Sequence, residues 1–254
     1  MATPDSESFV RTFARGLKVI EVMGHRPARQ TIAAVAQAAA LPRTATRRFL
    51  MTLESLGFVR SDGRSFWLTP KVLRLGLSYL YTLPFWRDAQ LALEELGART
   101  RQSCAISVLD DDDIVYVQRL HTKRILSMSP SLGSRLPAHA VSMGRVLLAN
   151  LDDAALDGYL AHAVLKKLSA RTITDPVLLR AQIDTVRKQG YAWVDGEFDE
   201  SICGLAVPVR DQDGAVIASI NASLPSGTYD EHKAVAELLP ALRQTASVLR
   251  NATR

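Results

Sequence analysis

The stretch TIAAVAQAAALPRTATRRFLMTLESLGFVRSDGRSFWL, residues 31–68, decides the fold of the N-terminal third of this 254-residue chain. An alanine-rich segment predicts a short helix, and a turn that ends at Pro42 precedes a second helix. Gly57 is typical of a helix C-terminus, and Asp62-Gly63 is typical of the turn between two antiparallel strands. The order helix, turn, helix and two-stranded wing is that of a domain that lays its second helix in the major groove of DNA.

The second helix has an apolar stripe and a basic face when its residues are placed at intervals of about 100°. The predicted buried stripe contains Phe49, Leu53 and Leu56, with Ala45 beside them. Side chains on the other faces are candidates to contact bases or phosphates, and the wing adds two arginines. The alternative interpretation is a solvated basic helix in an ordinary helical domain. The predicted DNA-binding residues are Arg43, Thr44, Arg47, Arg48, Arg60 and Arg64.

Charge is distributed unevenly along the chain. Residues 1–75 contain 12 Lys and Arg and 5 Asp and Glu, a net charge of +7. The remaining residues contain 19 basic and 21 acidic side chains, a net charge of −2. A polyanion such as DNA is therefore expected to bind the N-terminal part.

Length and composition predict a globular protein with two modest cores, because 47% of the residues are hydrophobic and 22% are charged. No apolar run reaches the roughly 18–20 residues that span a bilayer. The N-terminal segment lacks the apolar core of a signal peptide. We therefore expect a cytoplasmic protein without membrane contact. Cys104 and Cys203 fit a reducing compartment and no metal-binding pattern, and no cofactor is predicted.

Helical periodicity predicts a first helix over 9–23, with Phe9, Phe13, Leu17 and Ile20 on one apolar stripe. Two further helices, which would connect two domains, follow the wing. The predicted division is a winged helix-turn-helix domain over 1–69, a helical linker over 70–101 with helices at 70–81 and 85–101, and a further domain over 102–254.

From residue 103 the pattern mixes strands and helices, which predicts an α+β sensor-like domain. The run Asp110 to Asp113 joins the first two strands and is typical of a solvated hairpin turn, although acidic runs also bind metals. The predicted strands are 103–109, 114–120, 125–129, 191–197, 205–210 and 216–222, and the predicted helices are 140–150, 174–189 and 230–251, with a loop over 130–137.

The chain resembles the IclR family of bacterial transcriptional regulators over nearly its whole length. The winged segment carries part of this resemblance, together with SFVRTFARGLKVIEVM at 8–23, LGSRLPAHAVSMGRVLLAN at 132–150 and GYAWVDGEFDESICGLAVPVRDQDGAVIASINAS at 190–223. The stretches LPRTATRRFL, IVYVQRL and RLPAHAVSMGRVLLA look closest to the branch that governs aromatic-acid catabolism, the protocatechuate and β-ketoadipate regulators.

This resemblance implies a winged helix-turn-helix domain, a linker helix and a C-terminal GAF-like effector-binding domain. It implies a homodimer or homotetramer that binds double-stranded operator DNA and responds to a small organic acid. RNA polymerase is a further candidate partner. The positions that match effector-binding residues of family members are Ser142, Met143, Asp195, Gly204, Asn221 and Ser223.

The sequence departs from the aromatic-acid branch at Cys203, where relatives more often have an arginine. A missing arginine removes a bidentate partner for a carboxylate, which leaves the charge and identity of the effector open. Asn221 and Ser223 lie two residues apart on one predicted strand and therefore share a face. Polar groups among apolar neighbours need a partner, and a ligand is the favoured one. Other candidates for the effector site are Arg124, Arg135, His139, Tyr116 and Met128, each of which has an ordinary structural alternative.

Nothing in the sequence supports an enzyme, because it contains no nucleophile elbow, phosphate-binding glycine loop or HExxH pair. The two cysteines would form either a redox switch or two isolated buried thiols. The sequence therefore predicts a ligand-responsive transcription factor. The alternative is a small-molecule-binding or enzymatic domain with an N-terminal helical module that docks a protein, and the arginines of the second helix favour DNA.

Overall fold

The computed structural model describes residues 8–25, 27–121 and 130–252. The chain divides into two units, with the boundary between Thr82 and Leu83. This boundary falls inside the predicted linker, so that its first helix belongs to the first unit and its second helix to the second.

The first unit contains three mutually packed helices, a two-stranded wing and a further helix. This order confirms the predicted winged helix-turn-helix fold. The elements are α1 (Arg11–Met23), α2 (Ile32–Ala39), α3 (Arg43–Ser55), β1 (Val59–Ser61), β2 (Phe66–Leu68), a 3₁₀ turn (Pro70–Val72) and α4 (Leu73–Leu80).

Local signals set the limits of these elements. The Thr31 hydroxyl accepts a hydrogen bond from the backbone N–H of Ala34 at the start of α2. Gly57 has a φ of +76°, which lets the chain turn away after α3. The Asp62 carboxylate accepts hydrogen bonds from the backbone N–H groups of Arg64 at 3.0 Å and Ser65 at 2.7 Å, and these bonds close the wing.

The predicted apolar stripe of α1 lies largely at the surface of the first unit. Phe13 is 67% exposed and Leu17 is 43% exposed, whereas Val19 and Val22 are buried. Only the C-terminal half of α1 contributes to the core that α2 and α3 share with it. The N-terminal half of α1 therefore presents apolar side chains at the surface of this unit.

The predicted buried face of α3 is partly wrong. Thr46, Leu50 and Leu53 are buried, while Leu56 is 53% exposed and Phe49 is partly buried. The Thr46 hydroxyl donates to the carbonyl of Pro42 at 3.1 Å, which satisfies it inside the core. Leu56 follows the last residue of α3, where the chain already leaves the helix.

The second unit is an antiparallel sheet with helices on both faces, which confirms the predicted α+β class. Its described strands lie in the order β5-β4-β3-β8-β7-β6. The elements are α5 (Trp86–Thr100), β3 (Ser103–Asp110), β4 (Asp113–Leu120), β5 (Arg135–Pro137), a 3₁₀ turn (Ala138–Ala140), α6 (Ser142–Ala149), α7 (Asp153–His162), α8 (Pro176–Gln189), β6 (Ala192–Asp195), β7 (Ile202–Arg210), β8 (Val216–Pro225) and α9 (Glu231–Asn251).

The core of this unit lies between the sheet and α6, which contacts β3, β4, β6, β7 and β8. Helix α8 packs on α6 and contributes Leu179 and Ile183 to the same core. Helices α5 and α9 pack against each other and cover β3, β4, β7 and β8. No helix within the described residues is long and apolar enough to cross a bilayer.

Two observed elements of this unit were not predicted. Helix α7 was not predicted, although the Asp152 carboxylate caps it by accepting from the N–H of Ala155 at 2.7 Å. Strand β5 lies in the segment predicted as a loop, because it pairs with the distant strand β4. The predicted strand over 125–129 lies outside the described residues.

Candidate DNA interface and effector cavity

The predicted DNA-contacting side chains of α3 lie together at the surface. Arg43, Thr44, Arg47 and Arg48 are all exposed, and they occupy the first two turns of the helix. Burial of Thr46 and of the later apolar residues fixes the opposite face against the core. The helix therefore presents three guanidinium groups and a hydroxyl where a recognition helix touches base edges.

The wing carries the two remaining predicted residues. Arg60 lies on β1 opposite Trp67 of β2, and Arg64 lies in the turn between the strands. Both side chains are exposed. The wing therefore presents two cations beyond those of α3, in a position suited to backbone phosphates.

Arg29 holds the wing and was not predicted. Its guanidinium carbon lies 4.1 Å from the centre of the Trp67 ring, and Nη1 lies 3.1 Å from Oδ2 of Asp62. Hydrogen bonds from Ser65 and Arg64, with the charge of Arg29 in support, lower the pKa of Asp62. No local signal could have identified this contact, since Arg29 precedes α2 and Asp62 follows β1.

A cavity of about 50 Å³ lies between the start of α6 and the face of the sheet that α6 covers. Its lining includes Tyr116, Arg119, Ser142, Met143, Asn221 and Ser223. Gly204 lines the same cavity, so the structure brings together five of the predicted effector residues. Tyr116, which the sequence left as either a pocket residue or a core residue, also lines the cavity.

Strand register builds the floor of the cavity. Arg119, Ala105, Asn221 and Ala206 lie opposite one another on β4, β3, β8 and β7. Opposed residues of antiparallel strands point to the same face. Arg119 and Asn221 line the cavity, while the small side chains of Ala105 and Ala206 are buried in the adjoining core.

A β-bulge explains why two residues three positions apart share this face. The pairing of β3 with β4 shifts between Ile106 and Ser107, so that Ser107 faces Tyr116 and Ala105 faces Arg119. The Arg119 guanidinium carbon lies 5.1 Å from the centre of the Tyr116 ring. Regular alternation would have placed the two side chains on opposite faces.

The predicted polar pair on β8 is incompletely satisfied. Nδ2 of Asn221 donates to Oγ of Ser223 at 3.1 Å, which confirms that the two side chains share a face. Oδ1 of Asn221 is buried and has no hydrogen-bond partner within the described part of the chain. An unpartnered buried acceptor in a cavity wall is a binding feature, because burial without a partner is unfavourable.

Two close approaches shape the cavity wall. A Cβ atom on Gly204 would lie 2.8 Å from Oγ of Ser142, so that a larger residue at this position would displace the Ser142 hydroxyl. A Cβ atom on Gly144 would lie 2.0 Å from the carbonyl oxygen of Ala138. The second contact fixes the start of α6 against the preceding 3₁₀ turn.

Arg119 is the cationic side chain among the described residues that line the cavity. Its Nη1 donates to the carbonyl oxygen of Pro130 at 2.7 Å. Burial lowers the pKa of the guanidinium, while the Tyr116 hydroxyl acts in the opposite direction. Arg119 was not selected from the sequence, since strand alternation gave no reason to place it beside Tyr116.

A buried ion pair borders the same cavity. Nη2 of Arg145 lies 2.7 Å from Oε2 of Glu197, which also accepts from the backbone N–H of Ile173 at 3.1 Å. Burial raises the pKa of the Glu197 carboxyl and lowers the pKa of Arg145, while the contact between them favours the charged forms. Glu197 lines the cavity, and its charge is balanced by Arg145.

Three predicted effector residues lie elsewhere. Arg135 forms ion pairs with Asp110 and Asp113 across the strand ends. Asp195 accepts from Nη1 of Arg171 and from the Ser226 hydroxyl, each at 2.7 Å. Both side chains are engaged away from the cavity lining, so we do not retain them in the proposed site.

The third is His139, which is buried beneath the loop that follows α7. Its Nε2 lies 3.1 Å from the carbonyl oxygen of Lys166, so that Nε2 carries the proton of a neutral ring. Burial is the main cause that lowers the pKa of His139. The residue therefore has a structural partner. Arg124 and Met128 lie outside the described residues.

The structure also bears on the two cysteines and on the acidic run, for which the sequence left alternatives. Burial raises the pKa values of Cys104 and Cys203 to about 12, which disfavours the reactive thiolate and a redox switch. The run Asp110 to Asp113 forms a hairpin turn between β3 and β4. Within the described ranges, no cluster of three metal-binding side chains is found.

Comparisons with known proteins identify the family. Residues 12–63 match the model of the IclR helix-turn-helix domain, and residues 77–251 match that of the C-terminal domain of the bacterial transcriptional regulator IclR. The chain belongs to the IclR family of bacterial transcriptional regulators. It is accordingly a DNA-binding regulator rather than an enzyme.

Two curated IclR-family relatives regulate aromatic catabolism. The Pca regulon regulatory protein of Pseudomonas putida is 40% identical over 92% of this chain and 81% of its own length. The p-hydroxybenzoate hydroxylase transcriptional activator of Acinetobacter baylyi is 36% identical over 97% of this chain and 93% of its own length. The resemblance to the aromatic-acid branch of the IclR family is therefore confirmed.

Two crystal structures of similar proteins share the fold. A Rhodococcus sp. RHA1 protein has a TM-score of 0.85 at 42% identity, covering 96% of this chain and 98% of its own. An IclR homologue from Microbacterium hydrocarbonoxydans in complex with 4-hydroxybenzoate has a TM-score of 0.84 at 26% identity, covering 96% of this chain and 99% of its own.

Proposed function

We propose that this IclR-family regulator reads operator DNA with the N-terminal turns of α3 and contacts the flanking backbone with its wing. The observation that carries this proposal is the exposure of Arg43, Thr44, Arg47 and Arg48 opposite a buried apolar face. Arg43 and Arg47 contact base edges, because guanidinium groups bind guanine in a bidentate geometry. Thr44 and Arg48 contact bases or phosphates, and Arg60 and Arg64 contact phosphates.

The regulator acts in the cytoplasm as a dimer or tetramer on a pseudo-palindromic site, since one recognition helix reads too few base pairs. Exposed apolar side chains on α1, including Phe13 and Leu17, support subunit contacts. Leu73 and Tyr79 of α4 are also exposed and add to the apolar surface that could form subunit contacts. RNA polymerase is a candidate partner of the DNA-bound form.

The effector is a small aromatic acid that binds in the cavity beside α6. The cavity is lined by Ser142, Met143, Gly204, Asn221 and Ser223. Oδ1 of Asn221 is an acceptor that has no partner in the part of the chain that the structure describes. The Microbacterium relative binds 4-hydroxybenzoate, and the curated relatives act in aromatic catabolism. A few fixed polar groups in an apolar cavity are the usual means of orienting such a ligand.

Binding of an aromatic effector requires the cavity wall to move. The volume is about 50 Å³, whereas an apolar cavity that binds benzene measures roughly 150 Å³. The contact between Arg119 and the Pro130 carbonyl is the one an entering acid would displace, because both groups line the cavity. This displacement supplies the structural change through which an effector alters the regulator.

A mobility-shift titration with the promoter DNA of the adjacent genes tests the proposal. Affinity should fall steeply between about 50 and 200 mM salt, with a log–log slope of about 0.9 for each phosphate neutralised. Addition of 4-hydroxybenzoate should shift the DNA affinity. A slope near zero would reject DNA binding in favour of a protein-docking module, and unchanged affinity with every aromatic acid would reject this effector class.

Light scattering tests the oligomeric state. We expect a dimer or a tetramer at micromolar concentration, and protection of two half-sites separated by about one helical turn or a multiple of it. A monomer that binds a single half-site with full affinity would contradict the proposed assembly.

A further inference from the structure

Arg119 differs from the other arginines near this end of the sheet. Arg135, Arg145 and Arg171 each form an ion pair with a carboxylate. Within the described residues, Arg119 has no acidic partner, and its contacts are the Pro130 carbonyl and the Tyr116 ring. The cavity wall therefore contains a cation whose charge is not balanced.

An unbalanced guanidinium in a partly buried position favours the arrival of an anion. Desolvation of a charge is unfavourable unless a counter-charge or hydrogen bonds compensate for it. The planar guanidinium matches a carboxylate, to which it can donate two parallel hydrogen bonds. The carbonyl of Pro130 and the ring of Tyr116 offer only partial compensation, so an organic acid is the better partner.

Asn221 lines the same cavity on strand β8. It lies two strands from Arg119, with Ala105 between them, so that the two Cα atoms are about 10 Å apart. Arg119 and Asn221 both line the cavity, and this separation matches the length of an aromatic ring with a polar group at each end. Once the wall has moved to admit the ring, the two side chains can contact its opposite ends.

The chemistry of Asn221 specifies what the far end of the ligand needs. Oδ1 is buried and has no partner among the described residues, so a donor from the ligand would satisfy it. A hydroxyl group both donates and accepts, and it satisfies the amide in either orientation of its oxygen and nitrogen. A carboxylate only accepts and has its better partner in Arg119.

We infer that Arg119 binds the carboxylate of the effector and Asn221 binds a hydroxyl group at the opposite end of the ring. The inference rests on the proposed effector function of this cavity and specifies its ligand as a hydroxy-substituted aromatic acid. Arg119 on β4 thus supplies the positive charge that position 203, a cysteine here, does not provide.

Selectivity follows from this arrangement. An acid without the hydroxyl group leaves Oδ1 of Asn221 unpaired in the complex, and it should bind about 10- to 100-fold more weakly. Replacement of the carboxylate by a neutral amide removes the charge-assisted pair with Arg119 and should weaken binding by a similar factor. The two effects belong to different residues and can be separated by mutation.

Calorimetric titration of the full-length protein with 4-hydroxybenzoate, benzoate and 4-hydroxybenzamide provides the test. The wild type should bind 4-hydroxybenzoate most tightly. Arg119→Gln should lose the preference for the acid over the amide and keep the preference for the hydroxyl group. Asn221→Leu should lose the preference for 4-hydroxybenzoate over benzoate and keep the preference for the acid.

Two further variants make the result specific. Arg119→Lys keeps a cation without the bidentate geometry and should give an intermediate preference for the acid. Arg135→Gln removes an arginine that is already paired with Asp113 and should leave all three affinities unchanged. Thermal unfolding and DNA binding of each variant establish that the protein is folded.

Different failures have different meanings. If Arg119→Gln retains the full preference for the acid, or Asn221→Leu retains the preference for the hydroxyl group, the inferred orientation is wrong while the effector function stands. If the wild type binds none of the three compounds, the aromatic-acid effector itself is wrong, and the inference fails with it.

Discussion

The two units of this regulator place their functional residues in opposite environments. In the first unit, the candidate DNA contacts are exposed arginines on a helix and a wing. In the second, the candidate effector contacts are buried side chains on the floor of a cavity, such as Asn221. Exposed residues can change with little effect on folding, whereas buried ones depend on the packing around them.

The largest expected effect concerns packing in the second unit. Gly144→Ala should destabilise the protein by about 3 kcal/mol or more, because overpacking costs this much when backbone must move. The added Cβ would lie 2.0 Å from the carbonyl oxygen of Ala138. Urea unfolding followed by circular dichroism measures the change in the free energy of unfolding.

Gly158→Ala provides the matched control. Gly158 lies inside α7, and a Cβ there would meet no atom within 4 Å. The alanine should stabilise the helix by about 0.5–1 kcal/mol. Equal stabilities of the two variants would contradict the close packing assigned to the start of α6.

The next effect concerns the exposed face of the first unit. Arg47→Ala should weaken binding to the cognate operator by about 1–3 kcal/mol and relax specificity at one base pair. Arg64→Ala should weaken cognate and scrambled DNA about equally, because a phosphate contact carries no sequence information. Fluorescence anisotropy on both DNAs measures the difference, and identical behaviour of the two variants would overturn the groove assignment.

A smaller effect is expected from the contact that holds the wing. Arg29→Lys should weaken DNA binding about two- to fivefold, because the loss of stacking on Trp67 loosens the turn that carries Arg64. In an Arg64→Ala background the same change should have less effect, since the positioned residue is then absent. Equal effects in the two backgrounds would mean that Arg29 acts independently of Arg64.

The smallest effect is a pH dependence in the second unit. Burial holds the pKa of His139 below its ordinary value of 6.5, so the unfolded chain binds a proton that the folded chain does not. The stability from this residue is complete above about pH 6.5 and declines as the pH falls towards the folded pKa. His139→Gln keeps a donor for the Lys166 carbonyl and should reduce this decline.

The free energy of unfolding at pH values of about 7.5 and 5.5 provides the measurement. His162→Gln, at an exposed histidine of α7, serves as the control and should retain the decline of the wild type. An identical pH dependence in His139→Gln and the wild type would contradict the role assigned to the buried ring.

The sequence predicted the first unit well because its signals are local. Gly57 ends α3 and Asp62 closes the wing through contacts within a few residues. The buried faces were predicted less well, since they depend on which turns meet neighbouring helices. Thr46 is buried because its hydroxyl finds the Pro42 carbonyl, which periodicity alone does not reveal.

The cavity was predicted only in part, because its residues come from strands distant in sequence. Ser142, Gly204, Asn221 and Ser223 were identified from the family resemblance, and the spacing of Asn221 and Ser223 on one strand supported that pair. Arg119 was missed because the bulge between Ile106 and Ser107 reverses the expected alternation. Arg135 was proposed as a free cation, but the hairpin brings Asp110 and Asp113 to it.

By itself, the sequence determined the winged fold, the basic face of α3 and the α+β class, since short-range periodicity, caps and turn residues encode these features. Its resemblance to known regulators indicated the family. Tertiary structure alone decided which polar groups meet in the cavity. Strand register placed Arg119 and Asn221 in one row, and the bulge turned Arg119 towards Tyr116. The first depends on the pairing of β3 with β8, which lie about 100 residues apart, and the second on a register shift within the β3–β4 hairpin. Side-chain periodicity along a single strand specifies neither.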